Sequence, residues 1–279
     1  MRILTYRSDR GPRAGLLVDG AVVDAWDALG GDGSSVRELL EADRLGELSG
    51  IDAGGGVTLE DVELLPPVPD PEKIVCIGLN YRAHAAEADA DDPPDAPAIF
   101  GKYRNALVPT GAAVRLPAAS DKVDYEAEVA FVIGRRSSEV DESTAADYIA
   151  GYTLLNDLSA RDLQFATPQW MPGKVFDGSA PCGPALVTAD EALTEGTASF
   201  SLTLNGEVMQ DASTDDLIFG IPQLVAHLSR LMTLEPGDIV STGTPSGVGS
   251  TRDPRVWLKP GDEIAISSPT LGLLETRIA

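Results

Sequence analysis

The chain opens on three short apolar stretches, residues 3–6, 15–18 and 21–24, and Asp19-Gly20 between the last two predicts a hairpin turn. From Ser35 onward Val36, Leu39, Leu40 and Leu45 fall at a loosely helical spacing. Pro66, Pro67, Pro69 and Pro71 then crowd into six residues, which neither a helix nor a central strand accepts. That punctuation predicts a small leading unit over residues 1–65, a Pro-rich linker over 66–72 and a main domain over 73–279.

In the main domain, residues 73–77 form an apolar run stopped by Gly78, the pattern of a buried strand. Residues 123–133 alternate, with Val123, Tyr125, Ala127, Val129 and Phe131 on one face and Glu126 and Glu128 on the other. Residues 152–155, 199–204, 207–209, 239–241 and 263–267 read as further strands, the last of these closing the series. Leu224, Leu228 and Leu231 place an apolar stripe on a helix over 223–232. Many strands, few helices and no βαβ rhythm predict a strand-rich, mixed α+β architecture.

Composition narrows the function. Of 279 residues 43% are hydrophobic, enough for a packed core. Lys+Arg number 21 against 44 Asp+Glu, a net charge of -23. A surface of that sign repels nucleic acid and anionic membranes, so neither is expected as a partner. No apolar run approaches the roughly 20 residues of a spanning helix, and the opening MRILTYR does not read as a signal peptide. Cys76 and Cys182 form no CxxC pair, and the expected compartment is a reducing one, the cytoplasm.

Chemistry has few candidates, because the chain holds two histidines and five lysines. Within Asp124-Tyr125-Glu126-Ala127-Glu128 two carboxylates share a strand face, where they repel unless a cation or proton lies between them. A solvated strand face gives the same alternation and is the commoner cause of it. Asp157 ends an apolar strand, a place where site residues gather, although an aspartate there is on its own more often the N-cap of a helix beginning Leu158-Ser159-Ala160-Arg161. Taken together, Glu126, Glu128 and Asp157 form a hard oxygen set that suits Mg²⁺ or Mn²⁺ and not zinc or copper. His84 and Glu87 are three apart on a helix predicted to begin near Asn80, close enough for the carboxylate to hold the imidazole as a general base. Plain surface neighbours would show that spacing too. His227, beside Leu224 and Leu228, reads as a packed histidine. Lys174 follows a Pro-Gly turn and either neutralises a developing oxyanion or is simply solvated. Residues 241–249, STGTPSGVG, match no nucleotide loop, but their N–H groups and Thr244 could grip a carboxylate.

The order of these segments is more telling than any one of them. GLNYRAHAAE, VDYEAEVAFVIGR, GYTLLNDLSARDLQ, PGKVFD and PGDIVSTGTPSGVG together resemble the fumarylacetoacetate hydrolase family, in its acylpyruvase and hydroxymuconate isomerase-like branch. The likeness covers nearly all of residues 73–279, and the first 65 resemble the small leading domain of many members. It implies a mixed β-roll catalytic domain, a homodimer, and Mg²⁺ or Mn²⁺ held by Glu126, Glu128 and Asp157. It implies His84 and Glu87 as a water-activating dyad and Lys174 as the oxyanion partner. Arg161, Gln164 and Thr244 are the implied contacts to a small anionic keto acid. The implied reaction is C–C bond hydrolysis of a 2,4-dioxo acid, of acylpyruvate or fumarylpyruvate type, through an enolate. Decarboxylation of an oxaloacetate-type acid and isomerisation of a carboxymethyl-hydroxymuconate pass through the same kind of enolate; a silent binding relative is the remaining class. Residues 87–95, EADADDPPD, match a lid in some relatives, and their net negative charge departs from what a lid over an anion should carry.

Overall fold

The computed structural model describes residues 1–87 and 95–279. Strands β1 (Arg2–Ser8), β2 (Gly11–Val18) and β3 (Ala21–Asp24) form a meander. Asp19 and Gly20 both take positive φ in the β2–β3 turn, the geometry that lets a two-residue loop follow the strand twist. Helix α1 (Val36–Glu41) begins with a capping box. Ser35 Oγ accepts from the Glu38 N–H at 3.1 Å, and the Glu38 carboxylate accepts from the Ser35 N–H at 2.9 Å.

Beyond the prolines come β4 (Ile74–Gly78), α2 (Arg82–Glu87), β5 (Ala98–Lys102), β6 (Ala127–Ile133), β7 (Ile149–Asn156), α3 (Arg161–Gln164) and β8 (Ala180–Val187). The chain ends with β9 (Ser199–Leu204), β10 (Glu207–Ser213), α4 (Ile221–Leu231), β11 (Ile239–Ser241), β12 (Glu263–Ser268) and β13 (Gly272–Ile278). One twelve-stranded sheet contains the path β3-β2-β1-β8-β7-β6-β11-β4-β5, and a five-stranded sheet contains β10-β9-β12-β13. Most neighbours are antiparallel, while β11 and β4 run parallel. This is the strand-rich mixed architecture that the pattern predicts.

Every residue of β6 is buried, so this strand is covered on both faces at the centre of the molecule. β1 pairs with β8, which joins the first residues to the same sheet. Ile3, Leu16, Trp26 and Leu39 share one buried cluster with Ile74, Leu155, Leu186 and Ile239. Two details depart from the expected pattern. The strand read over 123–133 is interrupted at Tyr125-Glu126, because Val123–Asp124 turns away to pair with Ser159–Ala160. β13 follows the strand expected to be last and pairs with β12. Apart from its two ends, the expected lid over residues 87–95 lies outside the described residues. Among those described, no helix is long and apolar enough to cross a membrane.

Candidate active site

The β6–β7 ladder assembles the acidic group. Ala127 pairs with Asn156, and the Asp157 N–H donates to the Glu126 carbonyl at 2.9 Å, so Asp157 arrives beside Glu126. Glu126 is 5% exposed, Glu128 2% and Asp157 0%. The solvated-face alternative therefore fails for the glutamates. So does the helix-cap alternative for Asp157, since α3 starts only at Arg161 with Ala160 at its cap position. One oxygen from each of the three carboxylates lies within 4.8 Å of the others.

Three buried cations compensate most of this charge. Lys174 Nζ donates to Glu126 Oε2 at 2.6 Å and to Asp157 Oδ2 at 2.8 Å. Arg161 pairs with Glu126 Oε1 at 2.7 Å and donates from Nε to Asp124 Oδ2 at 2.9 Å. Lys102, the last residue of β5, donates to Asp157 Oδ1 at 2.6 Å. Glu128 differs: its Oε2 accepts from Ser241 Oγ and from the Gly243 N–H, and among the described residues no cation reaches it. Burial, reinforced by the charges of Asp157 and Glu126, pushes the Glu128 carboxyl well above its ordinary range. Burial opposes ionisation of Glu126 as well, but Arg161 and Lys174 outweigh it and hold that carboxyl at about 2. Lys174 is kept protonated against its burial by Asp157 and Glu126. This donor set suits a hard divalent cation, with two carboxylates fixed by lysines and arginine and the third oriented by a hydroxyl and an N–H.

The second group comes from α2. His84 Nδ1 lies 3.2 Å from Glu87 Oε2. Both oxygens of Glu87 accept from the Gly247 N–H, at 3.1 and 3.2 Å. Burial raises the Glu87 carboxyl, but the hydrogen bonds from His84, Thr251 and Gly247 prevail and leave it below its ordinary value. Gly247 has φ +96°, and a Cβ there would sit 2.2 Å from the Met209 carbonyl, so glycine is needed to present that N–H. Asp124 holds the rest of this loop by accepting from the N–H groups of Gly249 at 2.7 Å and Ser250 at 3.0 Å.

A cavity of about 290 Å³ joins the two groups, lined on its polar side by His84, Glu126, Glu128, Arg161, Gln164, Lys174 and Thr244. Glu87 and Asp157 stand behind this wall and act on residues that form it. Thr244 Oγ1 donates to the Ala127 carbonyl at 3.0 Å and accepts from Gln210. Gln164 accepts from Arg161 at 3.0 Å. His227 is half-buried on α4 and does not line the cavity. Sequence reasoning missed Lys102 and Ser241 and gave no role to Asp124. The only local signal for Lys102 is the rarity of lysine, since the contact to Asp157 spans 55 residues.

Known proteins bear directly on this arrangement. An oxaloacetate tautomerase of Xenopus laevis, designated mitochondrial, is 37% identical over 100% of this chain and 90% of its own length. A structure from Mycobacterium smegmatis, described as a candidate HpcE protein, matches with TM-score 0.91 and 34% identity over 100% of this chain and 99% of that one. Maleylpyruvate hydrolase from Sphingobium, solved with manganese(II) and pyruvate, matches with TM-score 0.82 and 30% identity, covering 100% and 99%. The expectation of a cytoplasmic protein is corrected by the first of these, as bovine and human oxaloacetate tautomerases are designated mitochondrial too. Unpaired cysteines and an acidic surface do not separate one reducing compartment from another. The five ordered motifs, the buried carboxylates and the relatives agree with the match of residues 73–279 to the family described as fumarylacetoacetate (FAA) hydrolase C-terminal, and the chain is an enzyme of that family.

Proposed function

We propose that the enzyme uses Mg²⁺ or Mn²⁺ to enolise a small 2-oxo acid, moving a proton at the carbon next to the 2-oxo group. The observation that carries this reading is the His84–Glu87 pair, buttressed by the Gly247 N–H and opening on the same cavity as Glu126 and Glu128. Glu126, Glu128 and Asp157 would hold the cation, which when bound supplies Lewis-acid stabilisation of charge on the 2-oxo oxygen.

The chain's own residues do the rest. Glu87, held anionic, accepts from Nδ1–H of His84, and that fixes the tautomer whose Nε2 carries a lone pair. Nε2 takes the proton from the carbon, the C–H electron pair moves into the new C=C bond, and the 2-oxo oxygen gains the negative charge. The imidazolium then returns its proton to that oxygen or to carbon. Arg161, Gln164 and Thr244 line the side of the cavity on which the substrate carboxylate would lie.

A second reading, hydrolytic C–C cleavage of a 2,4-dioxo acid, uses the same base on water. The Sphingobium hydrolase, with its manganese and pyruvate, favours keeping it. Enol-to-keto conversion and pyruvate release should both be followed, for oxaloacetate and a set of 2,4-dioxo acids, with Mn²⁺ added. Conversion that is lost in His84→Ala supports the proposal. No conversion of any 2-oxo acid, or full conversion by His84→Ala, overturns it.

A further inference from the structure

Lys102 carries a buried charge that neither the cavity nor the fold accounts for. Asp157 has a lysine on each oxygen, Lys174 Nζ on Oδ2 at 2.8 Å and Lys102 Nζ on Oδ1 at 2.6 Å. The two lysines stand in different places. Lys174 lines the cavity, lies 4.9 Å over the Phe100 ring and is shared with Glu126. Lys102 does not line the cavity, and its side chain is 0% exposed. Among the described residues Asp157 is its one hydrogen-bond partner.

The fold has little use for this second lysine. Asp157 is already paired through Lys174, so Lys102 rescues no stranded charge, and taking another ammonium out of water is costly. Nor is it needed to aim Asp157, whose N–H donates to the Glu126 carbonyl at 2.9 Å while Lys174 holds Oδ2. β5 is joined to β4 along its length, from Ile74–Lys102 to Gly78–Ala98, without help from the side chain. What Lys102 does supply is a positive charge against a ligand carboxylate, buried where solvent screens it poorly. Such a charge acts on a divalent cation at Asp157 in two ways. It repels the cation and weakens the carboxylate as a donor, so binding is looser. It also leaves more of the cation's charge uncancelled for the 2-oxo oxygen of the substrate.

We propose that Lys102 is a positioning residue acting through Asp157, which loosens the hold on the divalent cation and thereby strengthens the pull on the 2-oxo oxygen. The metal half stands on its own, and the kinetic half rests on the keto-acid reading above. Calorimetry on the full chain stripped of metal gives Mn²⁺ dissociation constants, and oxaloacetate enol conversion at saturating Mn²⁺ gives kcat. Lys102→Gln should bind Mn²⁺ about fivefold or more tightly and lose about tenfold in kcat. A purely structural prop would lose affinity and rate together. Lys102→Arg returns the charge and should bring both values back toward wild type. Lys102→Met, closer to lysine in length, decides the matter if Lys102→Gln does not fold. Failure of both to fold overturns the proposal, because the fold then does need the lysine. Weaker or unchanged Mn²⁺ binding, or tighter binding at unchanged kcat, overturns it as well. If the wild type converts no 2-oxo acid, the keto-acid reading falls, and the Mn²⁺ affinities of the variants still decide the metal half.

Discussion

Glu128 is the ligand candidate without a cationic neighbour of its own, and that makes it the pH-sensitive member of the group. Its carboxyl is raised in the metal-free fold, so it keeps a proton at pH values where a free glutamate would be ionised. The stability this contributes is complete below the unfolded value and is lost as pH rises through the folded one. A divalent cation must displace that proton. Mn²⁺ affinity should therefore rise with pH, with close to one proton released per ion; calorimetry in buffers of different ionisation enthalpy measures it, and pH-independent binding without release contradicts it. Glu128→Gln keeps the neutral form and should leave metal-free stability level or higher while abolishing the thermal shift given by Mn²⁺. Asp157→Asn should behave oppositely, because it strips Lys102 and Lys174 of a buried partner, at a cost of about 3–5 kcal/mol in denaturant unfolding. His84→Ala should reduce turnover by ~10²–10⁴-fold, with His227→Ala close to wild type in the same assay. Glu126, Glu128, His84 and Glu87 were legible because their spacing is local. Lys102 was not, because only the pairing of β5 with β4 brings it to the carboxylates.

At the scale of elements, the loop at residues 247–250 connects the two halves of the site. Its N–H groups hold Glu87 on one side and Asp124 on the other. Gly247→Ala drives a methyl group into the Met209 carbonyl, so the loop must shift and Glu87 loses its buttress. Turnover should drop by about tenfold or more, since displacements near 1 Å cost up to ~10²-fold, although no dyad residue is changed. Steady-state rates beside a melting curve check this, and an unchanged rate would remove the loop from the mechanism. The β2–β3 hairpin and the start of α1 after Ser35 were readable in short windows because their chemistry is local. The interruption at Tyr125-Glu126 was not, since hydrophobic alternation continues straight through it. The start of α2 falls two residues beyond Asn80 for a similar reason: the Asn80 amide is used elsewhere, accepting from the Phe219 N–H at 2.8 Å and donating to the Thr242 carbonyl at 2.9 Å.

For the molecule as a whole, a charge of -23 and an anionic substrate oppose each other during approach. Salt shortens the range of that repulsion. At substrate concentrations well below KM, added KCl between about 20 and 200 mM should raise kcat/KM, and a steady fall instead would contradict a repulsive approach. The path of the large sheet could not be read from the chain, because contacts such as Arg2 with Val187 leave no trace in any local window. That sheet has a consequence for how the enzyme fails. Glu128, Ser241 and Lys102 sit on β6, β11 and β5, Asp157 directly follows β7, and these strands belong to one hydrogen-bonded path with β4 between β11 and β5. The amides slowest to exchange with deuterium should therefore lie beneath the reacting atoms, and on heating the catalytic rate and the fold should disappear at one temperature.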